Sequence, residues 1–264
     1  MKIGIVGAMP EEIALLQKNL HGVRSETRGM REYLQGELYG QDVTLVFSRW
    51  GKVAAASTVT TLIEVYGVEL VVFTGVAGAI STGLGLGDVV IASGLIQYDL
   101  DASALPGLER FEVPLLNVSE FTVEPRLLAL AKQSAERYVS TDLATDVPGE
   151  LLAEFGIQRP KVRTGLIISG DRFIAGNEIV KGLMEALPNA QCVEMEGAAV
   201  AQVCFEHKVP VIVMRTISDR ADHSAAIDFP KFVQRIASKF TSGVLKQLIA
   251  QIERPISRQL TAPL

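Results

Sequence analysis

At 264 residues the chain is long enough for one large domain or two small ones. Lys and Arg total 25 against 30 Asp and Glu, a formal net charge of −5, which argues against a general nucleic-acid binder because phosphate needs basic surface to offset it. Hydrophobic residues at 48% and charged residues at 21% give a globular balance. The longest nearly unbroken apolar stretch, residues 70–80, is too short to span a bilayer. The opening residues carry no signal-peptide core, and Cys192 and Cys204 cannot build a disulfide scaffold. A soluble, cytoplasmic protein is expected.

In chain order, residues 2–7 read as a buried strand, short, β-branched and closed by Gly7. Pro10 with Glu11 and Glu12 signals a helix start, and the helix runs on through Ile13, Leu16 and Leu20. Residues 33–39 and 42–48 read as strands joined by a turn at Gly40. Residues 51–66 read as a helix, on the spacing of Ala54, Ala55, Thr58, Leu62 and Val65. Residues 69–74 form a strongly β-branched strand ended by Gly75-Val76-Ala77-Gly78, and 88–92 and 94–98 are further strands.

From 99 to 123 the pattern is irregular, with Pro106 and Pro114; residues 124–138 are helical again. Residues 140–160 are polar and carry Pro148, Gly149 and Pro160, with a short helix expected at 150–155. A strand over 161–169 closes at Gly170-Asp171, and a helix over 177–187 ends at Pro188. Residues 197–206 form a compact Ala-rich helix, 209–217 a buried strand and 230–252 a long helix. The domain is expected to span 1–252, with 253–264 a frayed tail containing Pro255 and Pro263.

Strands alternate with helices and read as apolar runs, which predicts an α/β sandwich with both faces of the sheet covered. Ligands in such folds sit at the carboxyl ends of strands. Four segments follow strands and are rich in Gly, Ser or acids: 8–12, 75–78, 169–174 and 218–222.

Glu11 and Glu12 either complement the dipole of the first helix or place one carboxylate in the strand-end cleft as a general base. Neighbouring helix positions diverge by about 100°, so at most one faces in. Gly75–Gly78 is either a tight turn or a place where a ligand approaches backbone N–H groups; it is neither a dinucleotide fingerprint nor a phosphate loop. Val193-Glu194-Met195-Glu196-Gly197 reads as helix-start acids, or as a carboxylate accepting paired sugar hydroxyls, because an acid beside the tightly packed Gly197-Ala198-Ala199 needs a partner. Asp219, after a strongly apolar strand, is an Asx-turn residue or a site acid, and Arg215 can neutralise a nearby carboxylate. His21, His207 and His223 have no metal-ligand spacing, and Trp50 reads as a packing residue.

Together these segments resemble the bacterial 5′-methylthioadenosine/S-adenosylhomocysteine nucleosidases of the nucleoside phosphorylase superfamily. The resemblance rests on Lys2-Ile3-Gly4-Ile5-Val6-Gly7-Ala8-Met9 with Glu11-Glu12, Gly51-Lys52-Val53-Ala54-Ala55-Ala56, Thr74-Gly75-Val76-Ala77-Gly78, Ser169-Gly170-Asp171-Arg172-Phe173, Val193-Glu194-Met195-Glu196-Gly197 and Arg215-Thr216-Ile217-Ser218-Asp219, in the family order. It covers about residues 1–98 and 161–250.

The resemblance implies a single-domain three-layer αβα sandwich around a mixed sheet, a homodimer, and neither metal nor cofactor. It implies that Glu12 activates water, and that Asp219 hydrogen-bonds adenine N6 and donates toward N7. Glu196 would bind the ribose hydroxyls, with Met195 packing on the sugar. Phe173 would stack on the base, and the Ile174 backbone would read its edge. Gly78 would offer backbone near the substrate, Arg215 and Ser218 would order the acidic site, and Met9 and Val76 belong to the substrate-contacting set. The expected substrates are methylthioadenosine, S-adenosylhomocysteine and 5′-deoxyadenosine.

Val76 stands where many members carry Ser, and Trp50 where the residue is commonly small or aliphatic, which points to a reshaped pocket floor. The 140–160 stretch reads as a surface insertion. The segment from Tyr98 leads toward a dimer contact, so residues 106–121 are expected to complete the partner's 5′ pocket. Three alternatives share the scaffold: a hydrolase of another 5′-modified nucleoside such as aminodeoxyfutalosine, a phosphate-dependent phosphorylase, and an inactive nucleoside-binding protein. A phosphorylase would need basic residues around 8–12 and 75–78, and those segments contain none.

Overall fold

Every residue of β1 (Ile3–Gly7) and β5 (Leu70–Ala79) is buried, as apolar runs without alternation require when both faces of a sheet are covered. The computed structural model describes residues 1–252; the tail expected to fray, 253–264, lies outside the described residues. The remaining strands are β2 (His21–Arg28), β3 (Arg31–Leu38), β4 (Gln41–Phe47), β6 (Val89–Gln97), β7 (Phe121–Thr122), β8 (Val162–Ser169), β9 (Ala190–Glu194) and β10 (Val211–Asp219). The helices are α1 (Pro10–Lys18), α2 (Lys52–Glu64), α3 (Pro125–Arg137), α4 (Leu143–Asp146), α5 (Gly149–Glu154), α6 (Asn177–Ala186), α7 (Gly197–His207), α8 (Ala225–Phe232) and α9 (Ser238–Gln251).

All ten strands belong to one mixed sheet. β5 pairs in parallel with β1 and β10 and antiparallel with β9. β10 also pairs with β6, β6 with β8, and β8 with β9. Five strands therefore close a ring, β5-β10-β6-β8-β9, and β1, β4, β3 and β2 extend from β5 as an arm. Two groups of helices flank the sheet: α2 packs on α7, while α1 and α3 pack on α9. This is the expected α/β layering, with the ring closure as a feature that chain order does not reveal.

Several local expectations are corrected. Gly75–Gly78 is not a loop: β5 runs on to Ala79, because β10 supplies pairing partners from Gly75 to Gly78. The two strands expected over 88–98 are one, β6, with a register irregularity between Ala92 and Gly94. Glu194 ends a strand, β9, rather than opening a helix. β2 has no counterpart in the sequence reading; it is an exposed edge strand whose polar residues carry no buried face to detect. The last helical stretch begins at Ala225 and includes a π turn over Val233–Ala237 just after Pro230, a residue that cannot donate to the helical ladder. A second π turn, Tyr138–Asp142, together with α4 and α5, fills most of the polar 140–160 stretch.

Candidate active site

Pairing of β1 with β5 stops at Phe73, and pairing of β9 with β5 starts at Gly78. The edge of β5 between them faces the start of α1. Pro10 occupies the first turn of α1, where a missing N–H costs nothing, and the helix turns Glu12 inward while Glu11 stays exposed. Glu12 is 1% exposed. Its Oε2 accepts the N–H groups of Ala8 at 2.6 Å and Met9 at 3.0 Å, and its Oε1 accepts that of Val76 at 3.0 Å. Burial pushes the Glu12 carboxyl above the usual range; the charge of Arg215 and the three N–H groups oppose that shift.

Asp219 ends β10 and is 2% exposed. Its Oδ1 accepts the Ala221 N–H at 2.8 Å and its Oδ2 the Ser218 hydroxyl at 2.8 Å. Burial raises its pKa, the two hydrogen bonds lower it, and the charges of Asp222 and Asp228 raise it further; the net direction is up. Gly78 on β5 lies against it: a Cβ there would stand 2.8 Å from Asp219 Oδ1.

The third acid, Glu196, precedes α7 and is also buried. Its Oε1 accepts the Gly51 N–H at 2.8 Å. Burial first, then the charge of Glu194, push its carboxyl up to about 8. Gly51 holds φ at 91°, a conformation that suits glycine, and the next residue, Lys52, donates its N–H to Asp171 Oδ1 at 2.7 Å.

These acids line one cavity of about 540 Å³, open solvent at its mouth included. Met9, Glu12, Val76, Gly78, Phe173, Ile174, Met195, Glu196, Ser218 and Asp219 all line it, so residues from five separate stretches of chain meet in one place. Arg215 does not line it. It is buried behind the wall, with Nη2 donating to Glu194 Oε2 at 2.5 Å and its guanidinium 4.1 Å from the centre of the Phe73 ring. Its contact is with a neighbouring carboxylate, so it orders the acids from behind.

Among the lining residues that have no site role in the sequence reading are Glu194, Phe229 and Trp50. Glu194 looked like a helix-start acid. Phe229 comes from α8 and had no motif to mark it. Trp50 is at the rim rather than the floor or the core: it lines the cavity yet is 54% exposed, with its ring edge-on to Phe229 at 6.1 Å, and Phe229 in turn edge-on to Phe173 at 5.4 Å. Among the described residues, the only cationic one that lines it is Arg172. Among the described residues, no group of three or more His, Cys, Asp or Glu side chains is set to hold a metal.

The sequence profile of the phosphorylase superfamily matches residues 2–250. A 5′-methylthioadenosine/S-adenosylhomocysteine nucleosidase from Haemophilus influenzae (strain PittEE) is 37% identical over 253 residues, covering 96% of this chain and all of the relative. The chain belongs to this nucleosidase family. Among solved structures, the family member from Neisseria meningitidis in complex with methylthio-immucillin-A superposes with a TM-score of 0.83 at 31% identity, covering 94% of this chain and 98% of the other. A futalosine hydrolase from Helicobacter pylori superposes with a TM-score of 0.79 at 32% identity, covering 94% and 97%. Val76 meets Glu12 through its backbone N–H, so this contact does not use the side chain at position 76.

Proposed function

We propose that this nucleosidase-family chain hydrolyses the N-glycosidic bond of 5′-methylthioadenosine and S-adenosylhomocysteine, and of 5′-deoxyadenosine, releasing adenine and the 5′-substituted ribose. The observation that carries the reading is the presence of two buried acids, Glu12 and Asp219, in one cavity with unequal hydrogen-bond sets. Cleavage builds positive charge on the sugar and negative charge on the leaving base. Asp219, held toward its neutral form by burial, donates a proton to the base as the bond breaks. Glu12 takes the proton of the attacking water; the N–H groups and Arg215 favour its ionised form, and burial makes it a stronger base than an exposed carboxylate. Glu196 accepts the ribose hydroxyls, Met195 packs on the sugar, Phe173 stacks on the base, Ile174 reads its edge through the backbone, and Ser218 holds Asp219.

Electrostatics favour water over phosphate as the nucleophile. Residues 8–12 and 75–78 contain no Lys, Arg or His, and Glu12 already occupies the N–H groups that an anion would need. A second reading keeps the chemistry and changes the 5′ group to that of aminodeoxyfutalosine; the aromatic rim of Trp50 and Phe229 and the likeness to a futalosine hydrolase favour it.

In this proposal the chain is one domain over 1–252 and acts in the cytoplasm, in methionine salvage, as a homodimer whose partner loop closes the 5′ pocket. Lys52 pairs with Asp99, which brings the start of α2 and the 99–120 segment to one end of the molecule. Val53, Leu105 and Leu115 are exposed on those segments, Leu115 at 96%, and a second subunit would cover them.

The test is base release from methylthioadenosine, S-adenosylhomocysteine, 5′-deoxyadenosine, aminodeoxyfutalosine and inosine, each with and without phosphate. Adenine from the thio-nucleosides without phosphate is the expected result. Release only with phosphate would remove the water-activating role of Glu12, and preferential cleavage of aminodeoxyfutalosine would select the second reading.

A further inference from the structure

The first turn of α7 is capped by residues other than its own N-cap. Glu196 occupies that position without a side-chain bond to the helix; its carboxylate instead lines the cavity and accepts the Gly51 N–H. The free N–H groups of a first turn need acceptors. Glu194 supplies the first: Gly197 N–H lies 2.9 and 2.8 Å from its two oxygens, and the N-cap's own N–H, that of Glu196, lies 3.2 Å from Oε2. Ser169 supplies another, its Oγ accepting the Ala198 N–H at 2.7 Å while its hydroxyl donates to Glu194 Oε1.

We propose that Glu194 is a positioning residue for the sugar end of the site: by capping α7 in place of Glu196, it leaves the Glu196 carboxylate free to face a bound ribose. The proposal rests on the reading of Glu196 as the acceptor of ribose hydroxyls. Glu194 is well fixed for this work. Ser169 and Glu194 are register partners at the ends of β8 and β9. Arg215 donates to Glu194 Oε2 through both Nη2 at 2.5 Å and Nε at 3.2 Å, and it is itself buried on β10. Every group that touches the Glu194 oxygens is a donor, so an ionised carboxylate satisfies all of them and an amide does not. Loss of the carboxylate releases the Glu196–Gly197 turn and with it the direction of the Glu196 side chain.

The experiment measures dissociation constants by calorimetry for adenine and for a C-nucleoside analogue of adenosine, which has a ribose but no N-glycosidic bond to cleave. Glu194→Gln is expected to weaken the C-nucleoside by about tenfold to a hundredfold, the loss of a charged hydrogen-bond partner, with adenine unchanged within about twofold. In a Glu196→Gln background the same change is expected to have no further effect on the C-nucleoside. Glu194→Asp, which keeps the carboxylate, should recover part of the loss. Ser169→Ala, which leaves all charges in place, should give the same ligand selectivity at smaller size even if Glu194→Gln fails to fold. Equal weakening of both ligands, or a full additive effect in the Glu196→Gln background, would reduce Glu194 to a structural cap and overturn the proposal. A wild-type protein that binds the C-nucleoside no better than adenine would overturn it together with the role of Glu196. Absence of turnover on nucleosides would defeat the hydrolase reading alone, because the binding cycle needs no catalysis.

Discussion

Gly75 and Glu12 compete for one space: a Cβ built on Gly75 would stand 2.6 Å from Glu12 Oε1. That oxygen also accepts the N–H of the next residue, Val76, so the absence of a side chain at 75 lets the carboxylate reach the edge of β5. Gly75→Ala is expected to push Glu12 off its three N–H groups. A displacement of this kind costs about a hundredfold in turnover, and the strain costs about 1–3 kcal/mol of stability. Steady-state kinetics and urea unfolding of the variant check both. Wild-type turnover in Gly75→Ala would remove Glu12 from the reaction, because its carboxylate cannot keep this geometry beside a Cβ.

Asp219→Asn keeps the shape of the acid and its acceptor toward the Ala221 N–H, but it has no proton to give to a leaving base. Turnover is expected to fall by about 10²- to 10⁴-fold, the usual contribution of a placed general acid. Binding of adenine, which needs no proton transfer, should stay within about tenfold, the loss of one hydrogen bond. Rapid-quench kinetics with calorimetry separates the two effects. A variant with unchanged turnover would assign the proton to another group.

The parts of this site that could be read in advance are those where local rules and strand ends coincide. Glu12 follows a buried strand and opens a helix, and the helical angle between neighbours explains why Glu12 is buried while Glu11 is exposed. Asp219 ends an apolar strand. Glu194 was hidden because acids before a small-residue helix have the same appearance whether they start the helix or finish a strand; only the pairing of β9 with β8 and β5 separates the two. Arg215 was legible as the partner of a nearby carboxylate; its depth in β10 decides that this carboxylate is Glu194 and keeps it off the cavity wall. Phe229 reaches the cavity from α8, shortly after Asp219, in a stretch with no motif to mark it. The same limit hid the ring of five strands, which depends on β10 lying between β5 and β6.

Glu196 gives the protein a stability that depends on pH. Its carboxyl titrates near 4.5 when unperturbed and is raised to about 8 by burial and by the charge of Glu194. The folded state therefore holds this proton more tightly than the unfolded state. The contribution is fully present below pH 4.5 and is lost as pH rises through about 8. Glu196→Gln cannot ionise and should not lose it. The difference in unfolding free energy between Glu196→Gln and wild type is thus expected to shift in favour of the variant from pH 5 to pH 9, by on the order of a few kcal/mol. Urea denaturation at several pH values gives the curve. A difference independent of pH would mean that Glu196 ionises in the fold as it does in water.

Trp50 stands at the mouth of the cavity with its backbone fixed and its ring half-exposed. The Ser48 N–H donates to Gly7 O at 2.8 Å, and the Gly51 N–H holds Glu196, so the segment cannot swing away as a flexible loop would. The indole meets only part of its surroundings and touches Phe229 edge-on. Trp50→Ala should therefore change stability by less than about 0.5 kcal/mol, as for other exposed positions. It should act on ligands that extend past the sugar: an aromatic contact contributes about 0.5–1.5 kcal/mol, so KM for nucleosides with long or apolar 5′ groups is expected to rise about two- to tenfold. KM for adenosine, whose 5′ hydroxyl ends short of the rim, should hold. The measurement is KM across a series of 5′-substituted adenosines for wild type and variant. A uniform change across the series would place Trp50 outside the 5′ contact.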